Sequence, residues 1–196
     1  MWKVNEIFYS LQGEGYNTGT ASVFIRLSGC NLHCDFCDTR HEDGTMMSLP
    51  EIVDEVMKYP NAPLIVLTGG EPSLWIDEAF VAGLKSMTGK RIAIETNGTR
   101  PLPRGIDWVT LSPKTGIGDS GDAPVVLTEC DEIKVVYLGQ DLSQYENIQA
   151  KHHFLQPCWT SDANECHRNQ QATVQAVLDN PQWRLSLQTH RILEIK

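Results

Sequence analysis

Short apolar runs alternate with amphipathic segments along this chain. Residues 22–28 are apolar and β-branched and stop at a glycine, and residues 63–68 form a continuous apolar run before two glycines. Both patterns predict strands, the second of them buried. Ser48 and Glu51 form a capping box, which predicts a helix that ends near the proline at position 60. Further strands are predicted at residues 91–95, 107–111, 132–136, 153–156 and 183–188, and further helices at 74–87, 142–149 and 163–178.

This alternation predicts βαβ units and a mainly parallel sheet. Six or seven strands with four helices are too few for a complete (β/α)8 barrel, which typically takes about 250 residues. We therefore expect an α/β fold in the form of a partial (β/α)6-type barrel, an open sheet with some helices reduced or missing. The 196 residues suffice for a single domain. Its site is expected at the carboxyl ends of the strands.

Composition and charge argue against several classes of protein. The 16 basic and 25 acidic residues give a net charge of −9, and no basic block is present, which argues against binding of nucleic acid through its phosphates. No apolar run approaches the roughly 18 to 20 residues of a membrane span. The first residues lack the apolar region of a signal peptide, so we expect a cytoplasmic location. In a reducing compartment, the six cysteines favour metal or redox chemistry over disulfides.

Three of the cysteines form a compact motif directly after the first predicted strand, Cys30-Asn-Leu-His-Cys34-Asp-Phe-Cys37. Iron–sulfur clusters usually have four cysteine ligands. Because no fourth cysteine is near in sequence, a [4Fe–4S] cluster held here would keep one iron open for another ligand. The alternative is a structural zinc site completed by His33 or His41, although such sites usually consist of two paired ligand knuckles. The other cysteines are expected to be ordinary thiols: Cys130, Cys158 and Cys166.

A second motif, Thr68-Gly69-Gly70-Glu71-Pro72, follows the second predicted strand. Its glycines alone could form a turn that requires positive φ. Together, in this order and at the ends of successive strands, the two motifs resemble the radical S-adenosylmethionine (SAM) superfamily. The resemblance implies a [4Fe–4S] cluster on Cys30, Cys34 and Cys37, whose open iron binds SAM. One electron from that cluster would cleave SAM to give a 5′-deoxyadenosyl radical.

The segment before the cysteine motif narrows this resemblance. Gln12 and Glu14 lie on a predicted glycine-flanked loop at about residues 8–16, where they suit a heterocycle with guanidine-like N–H donors, and a plain polar turn is the alternative. Over nearly the whole chain, short motifs follow the order seen in the 7-carboxy-7-deazaguanine synthase family. These motifs are Leu11-Gln-Gly-Glu-Gly15, Phe24-Ile-Arg-Leu-Ser-Gly-Cys30, Cys37-Asp-Thr39, Ser112-Pro-Lys114, Leu155-Gln-Pro157 and Ser186-Leu-Gln-Thr-His190.

This resemblance implies one radical SAM domain over residues 1–196 that converts 6-carboxy-5,6,7,8-tetrahydropterin to 7-carboxy-7-deazaguanine with loss of ammonia, for queuosine-type deazapurine biosynthesis. It also implies Mg²⁺, an electron donor such as flavodoxin or ferredoxin, and a homodimer. The hypothesis is that the radical takes a hydrogen atom from the carbon bearing the carboxylate and that the ring then contracts. The cofactor supplies this step, and the protein orients and shields it.

The resemblance further implies roles for individual residues. Glu14 and Arg26 are expected to position the substrate, and no side chain acts as the catalyst itself. Thr39, in a cluster loop at about residues 29–40, is expected to bind Mg²⁺. The residues expected to contact SAM are Phe36, Gly70, Glu71, Glu95, Asn97, Ser112, Pro113, Lys114 and Gln156. Those expected to contact the pterin are Leu11, Gln12, Gly13, Glu14, Arg26, Thr68 and His190.

Other interpretations stay open. Arg26 could be an ordinary ion-pair partner, Thr39 a turn residue, and Lys114 and His190 solvated side chains. Within the superfamily, a glycyl-radical-enzyme activase also carries the cysteine motif, but it would act on a polypeptide and would not need the Gln12 loop. A non-catalytic iron–sulfur or zinc binding module is the alternative from another class. Two tryptophans are expected to be packing residues, Trp75 and Trp108.

Overall fold

A computed structural model describes residues 1–37, 39–115 and 124–196, so Asp38 of the cluster loop lies outside the described residues. In these ranges the chain forms nine strands, four α-helices and two short 3₁₀ helices at Pro72–Leu74 and Leu142–Tyr145. The strands are β1 (Trp2–Leu11), β2 (Ala21–Leu27), β3 (Thr45–Met47), β4 (Leu64–Gly69), β5 (Arg91–Thr96), β6 (Trp108–Leu111), β7 (Glu129–Tyr137), β8 (Gln149–Pro157) and β9 (Arg184–Leu185). The α-helices are α1 (Leu49–Met57), α2 (Glu78–Thr88), α3 (Ala163–Asp179) and α4 (Thr189–Ile192).

All of these strands belong to one sheet of the described residues, in the order β3-β1-β2-β4-β5-β6-β7-β8-β9. Strands β2 and β4 to β9 are parallel, whereas β1 runs antiparallel to both β2 and β3. Strands β3 and β9 are the two edges, so the sheet is open and does not close into a barrel. The prediction of a mainly parallel, open α/β fold with few helices is therefore confirmed.

Neighbouring residues of each parallel strand face opposite sides of the sheet, because side chains alternate along a strand. The outer face is apolar and is covered by α1, α2 and α3, whose buried side chains join its core clusters. The inner face carries polar side chains at the carboxyl ends of the strands. Five pairs of consecutive residues show this alternation, and in each pair the first residue belongs to the outer core and the second lines the inner cavity. The pairs are Ile25 and Arg26, Leu67 and Thr68, Ile94 and Glu95, Ile133 and Lys134, and Leu155 and Gln156.

Strands β1 and β3 were not predicted, and the loop predicted at residues 8–16 begins too early. Residues 8–11 complete β1, and the loop starts at Gln12. Most of β1 is only half-buried, because it lies near an edge of the sheet and pairs antiparallel to both neighbours. Such a strand carries no continuous apolar run, and this is why the pattern did not reveal it.

Three predicted elements are shorter than expected. Helix α2 begins at Glu78 because the Asp77 carboxylate accepts the Phe80 N–H at 2.8 Å and caps it there. The helix predicted at 142–149 is only the 3₁₀ turn Leu142–Tyr145, and Gln149, the last residue of the predicted helix, already belongs to β8. The strand predicted at 183–188 is reduced to β9, after which the chain turns into α4.

Trp75 and Trp108 pack against core clusters, as expected. Trp75 also donates its indole N–H to the Ser28 carbonyl at 2.5 Å, which holds the carboxyl end of β2 where the cluster loop begins. Trp108 stacks on Tyr16 at a ring distance of 4.9 Å, and Tyr16 also stacks on His152 at 4.3 Å. Among the described helices, none has the length and apolar character needed to cross a membrane.

The packing of α2 on the outer face generates a stability prediction. Phe80 is fully buried and its ring lies 4.8 Å from that of Trp2. Phe80→Ala should lower the free energy of unfolding by about 3 to 5 kcal/mol, because it leaves a cavity in the core. Urea denaturation measures this change. Met87→Ala, on the same helix but half-exposed, is the control, and an equal effect of both substitutions would contradict the packing described.

Candidate active site

A cavity of about 520 Å³ lies at the carboxyl ends of β2, β4, β5, β6, β7 and β8. Most of the residues predicted for the site line it, and these include the three cysteines of the motif, the substrate loop and His190. Glu71 and Pro113 do not line it. The predicted residues that do are Leu11, Gln12, Gly13, Glu14, Arg26, Cys30, Cys34, Phe36, Cys37, Thr39, Thr68, Gly70, Glu95, Asn97, Ser112, Lys114, Gln156 and His190.

The cysteine loop leaves β2 at Gly29, whose φ of 83° is readily adopted only by glycine. The Gly29 N–H donates to the His41 carbonyl at 2.7 Å, which closes the base of the loop. Inside it, the Cys37 N–H donates to the Cys34 carbonyl at 3.0 Å. Burial raises the pKa of the Cys30 and Cys34 thiols, so a nearby positive charge such as a metal centre would favour their deprotonation.

The loop after β4 lies directly against the cysteine loop. A Cβ at Gly70 would lie 2.2 Å from the Gly29 carbonyl oxygen and 2.9 Å from Cys30 Cβ, so only glycine fits there. Three thiols with no neighbouring fourth are the donor set expected for a cluster with an open iron. In the described ranges, no three His, Cys, Asp or Glu side chains are arranged to hold a single metal ion. The three thiols line one cavity, and this donor set fits a cluster whose irons take one thiolate each.

Glu71 is directed into the protein and not to the cavity. Its carboxylate is fully buried and accepts hydrogen bonds from the Ser73 N–H at 2.9 Å, the Thr96 hydroxyl at 2.8 Å and the Asn97 N–H at 2.7 Å. These bonds tie the loop after β4 to the end of β5. In the structure Glu71 therefore stabilises the loop behind the cavity wall, whereas the sequence predicted that it contacts SAM.

Asn97 connects this anchor to the cysteine loop. Its amide nitrogen donates to Asn31 Oδ1 at 3.1 Å, and Asn31 in turn donates to the Thr99 hydroxyl at 2.8 Å. The Thr99 hydroxyl donates to Asn97 Oδ1 at 2.8 Å, which completes a ring of three side chains. Sequence reasoning missed Asn31, which lies inside the cysteine motif but is not one of its cysteines, and Thr99, because the ring forms only when the ends of two strands meet.

The substrate loop, residues 12–20, enters the cavity from the side of β1. Gln12 is buried and donates its side-chain N–H to Glu95 Oε1 at 3.1 Å, and Thr68 donates its hydroxyl to Glu95 Oε2 at 3.0 Å. Glu95, predicted to contact SAM, therefore also lies beside two residues predicted to bind the pterin. Further along the substrate loop, Glu132 of β7 accepts the Tyr16 N–H at 2.7 Å and so holds the loop to the sheet. Burial raises the pKa of Glu132.

Lys134 is the main site residue that sequence reasoning missed. It is buried, its ammonium group contacts Glu14 Oε2, and it lies 3.6 Å from Glu95 Oε1. Burial alone would raise the pKa of Glu14 and lower that of Lys134. Their mutual attraction overrides this, lowering the pKa of Glu14 to about 2 and raising that of Lys134. The signal in the sequence was a lysine in the middle of a predicted strand, directly flanked by the apolar Ile133 and Val135.

The segment after β9 packs on the substrate loop. The Thr189 N–H donates to the Gly13 carbonyl at 2.9 Å, and the Gln188 side chain donates to Glu14 Oε1 at 2.8 Å. A Cβ at Gly13 would lie 2.2 Å from His190 Nδ1, so the loop and the histidine are in close contact. His190 thus lines the cavity beside the substrate loop, and Gln188 of the same motif is a further residue that lines it.

Arg26 and Thr39 face the same part of the cavity. The Arg26 guanidinium donates to Glu6 Oε1 at 2.9 Å and to the Thr39 hydroxyl at 3.4 Å. Arg26 therefore has an ion-pair partner and also lines the cavity. Nearer the cysteines, Lys114 donates to the Ser112 carbonyl at 2.8 Å, and burial lowers its pKa.

Comparison of the sequence with known proteins gives full-length relatives. The Radical SAM superfamily matches residues 24–116. A protein of Bacteroides thetaiotaomicron named 7-carboxy-7-deazaguanine synthase is 58% identical over 196 residues, which are 100% of both chains. A protein of the same name from Bordetella pertussis is 39% identical over 217 aligned residues, with 99% of each chain covered.

The fold is also similar to that of two solved structures. The crystal structure of QueE from Escherichia coli superposes with a TM-score of 0.70 at 27% identity, covering 95% of this chain and 93% of that one. The crystal structure of Streptococcus suis SuiB bound to S-adenosylmethionine has a TM-score of 0.54 at 14% identity. That match covers 81% of this chain and 48% of the other, and it shows a shared fold.

The buried carboxylate behind the cavity wall yields a prediction. Glu71→Gln should lower the free energy of unfolding by about 1 to 3 kcal/mol, because an amide NH₂ would face N–H or O–H donors. It should also speed hydrogen exchange at the Asn97 amide, which loses an ionic acceptor. Denaturation and exchange measured by mass spectrometry test both effects. The exposed Glu78→Gln is the matched control, and unchanged exchange at Asn97 would contradict the anchoring role.

Proposed function

Because the chain belongs to the 7-carboxy-7-deazaguanine synthase family of the radical SAM superfamily, we propose that it converts 6-carboxy-5,6,7,8-tetrahydropterin to 7-carboxy-7-deazaguanine and ammonia. The observation that carries the proposal is one cavity lined by three cysteines on one side and by Gln12 and Glu14 on the other. Full-length identity to relatives of that name supports the substrate and the reaction. The product would serve queuosine-type deazapurine biosynthesis.

The proposed cofactors are a [4Fe–4S] cluster on Cys30, Cys34 and Cys37 and a SAM molecule beside Gly70. When bound, they supply the hydrogen-atom abstraction that acid–base side chains cannot perform at an unactivated C–H bond. The support is the donor set of the loop and the close backbone contact at Gly70. We propose the remaining SAM contacts at the predicted residues that line the cavity, which are Phe36, Asn97, Ser112, Lys114 and Gln156.

The chain's own residues bind and orient the substrate in this proposal. The Glu14 carboxylate and the Gln12 amide oxygen accept N–H groups of the pterin ring, and the Arg26 guanidinium faces the substrate carboxylate, for which it is a suitable bidentate donor. Thr68 and His190, which also line the cavity, complete the shell. The buried walls shield the reacting carbon from water.

A homodimer and an electron donor such as flavodoxin or ferredoxin belong to the proposal as well. Both rest on the family resemblance alone. A radical reaction that begins with one-electron reduction needs such a donor, and small one-electron carriers are the class that supplies it.

The direct test is turnover. Protein reconstituted anaerobically with iron and sulfide, reductant, SAM and the carboxytetrahydropterin should yield 7-carboxy-7-deazaguanine, detected by mass. Colourless protein that binds only zinc would overturn the cluster. Cleavage of SAM without that product would overturn the substrate and would leave the superfamily assignment intact.

The substrate loop gives a sharper prediction. Glu14→Gln should lower kcat/KM for the pterin on the order of 10- to 100-fold, because a charged acceptor is replaced by a neutral one. Cleavage of SAM in the absence of the pterin should stay at the wild-type level. Glu55→Gln, on the exposed side of α1, should change neither rate. Full turnover by Glu14→Gln would count against the role of the loop.

We extend the proposal to Mg²⁺ at Thr39, whose hydroxyl lines the cavity, since Mg²⁺ keeps much of its water and takes substrate oxygens, so that one protein ligand can suffice. Thr39→Val should raise the Mg²⁺ concentration needed for half-maximal turnover on the order of tenfold or more. A titration of Mg²⁺ against initial rate measures this. Exposed Thr128→Val is the control. An unchanged Mg²⁺ requirement in Thr39→Val would remove Thr39 from the metal site.

A further inference from the structure

Lys134 is a buried cation on the wall of the cavity to which the proposed reaction assigns no role. It lies on the inner face of β7, next to Ile133 of the outer core. Its ammonium group contacts Glu14 Oε2 and lies 3.6 Å from Glu95 Oε1. One ammonium group therefore joins the substrate loop to the end of β5.

Glu14 and Glu95 are also fixed by neutral donors from three other parts of the chain. Glu14 accepts the Gln188 amide at 2.8 Å. Glu95 accepts the Gln12 amide at 3.1 Å and the Thr68 hydroxyl at 3.0 Å. Each carboxylate oxygen has two acceptor sites, so this arrangement leaves capacity for further N–H donors from the cavity.

Glu14 and Glu95 share one buried ammonium group, which contacts Glu14 and lies 3.6 Å from Glu95, so the negative charge of each carboxylate acts on the other. Burial and like charge each favour the protonated form of a carboxyl group. Removal of one partner from a buried ion pair leaves an uncompensated charge, which is strongly unfavourable. Lys134 lies where it offsets both carboxylates at once.

We propose that Lys134 is a positioning residue that keeps Glu14 and Glu95 as a pair of ionised acceptors, so that the site selects a heterocycle with a guanidine-like donor edge. This inference rests on the proposed function, because that function supplies the pterin as the ligand. The selection follows from chemistry: an ionised carboxylate accepts from the 2-amino group of a pterin but repels the 2-oxo group of the corresponding lumazine. A protonated carboxyl group would instead donate to the oxo group.

The test is equilibrium binding to reconstituted protein with SAM and without reductant, so that no turnover occurs. The ligands are 6-carboxy-5,6,7,8-tetrahydropterin and its 2-oxo analogue, each titrated from about pH 6 to about pH 8.5. For the wild type, Glu14 stays ionised over this whole range, since its pKa is about 2. The other charged or titratable groups facing the pair are Glu132, Lys114 and His190.

Lys134→Met should weaken binding of the pterin on the order of 10- to 100-fold at the acid end of this range, because one carboxyl group of the pair becomes protonated. The loss should shrink as the pH rises and that group ionises. The preference for the pterin over its 2-oxo analogue should fall as well. Glu132, Lys114 and His190 are present in both proteins, so the difference between the two pH profiles isolates Lys134.

Two further variants complete the experiment. Lys151→Met removes an exposed lysine that pairs with Asp131 on the neighbouring strand, and it should behave as the wild type. The double variant Lys134→Met/Glu95→Gln removes the cation and one carboxylate together. It should move the recovery of pterin binding to lower pH than in Lys134→Met, and it carries the test if the single variant does not fold.

Equal weakening of both ligands at every pH in Lys134→Met would overturn the proposal, because it would indicate a merely structural role. Wild-type affinity and selectivity in that variant would overturn it too. Failure of the wild type to bind the pterin at all would instead reject the proposed function, so the two failures are distinguishable.

Discussion

The buried contact between Lys134 and Glu14 is the interaction on which the substrate side of the cavity depends. It joins β7 to a loop that arrives from the opposite part of the sheet, and Glu95 brings the end of β5 to the same ammonium group. A buried charge needs partners, and each partner here is itself held by donors from other elements. The position of the substrate loop is therefore set by charge as well as by packing.

The cluster side of the cavity is organised by a different constraint, close approach of backbones. Gly70 leaves no room for a side chain against Gly29 and Cys30, and buried Glu71 holds the same loop from behind. The hydrogen-bonded ring of Asn31, Asn97 and Thr99 connects the end of β5 to the cysteine loop. Both halves meet over the inner face of one open sheet, where strand alternation places polar residues directly behind an apolar core.

Much of this could be predicted from sequence, because it depends on local pattern. Apolar runs that end in glycine identified the parallel strands β2 and β4, and the spacing of Cys30, Cys34 and Cys37 identified the cysteine loop. What could not be predicted depends on contacts between distant segments. Strand β1 is half-exposed and lacks a continuous apolar run. Glu71 belongs to the motif after β4, but its side chain faces the protein interior. Lys134 acquires its partner Glu14 only when the substrate loop lies against β7.

The central claim is that a pterin lies between the ionised Glu14–Glu95 pair and the cysteine loop. An anaerobic crystal structure of the reconstituted protein with SAM and 6-carboxy-5,6,7,8-tetrahydropterin tests it most directly. The account predicts the N–H edge of the ring in hydrogen-bond contact with Glu14, and Lys134 still paired with that carboxylate. A pterin whose N–H edge contacts neither Glu14 nor Glu95, or a Lys134 turned away from both, would contradict it.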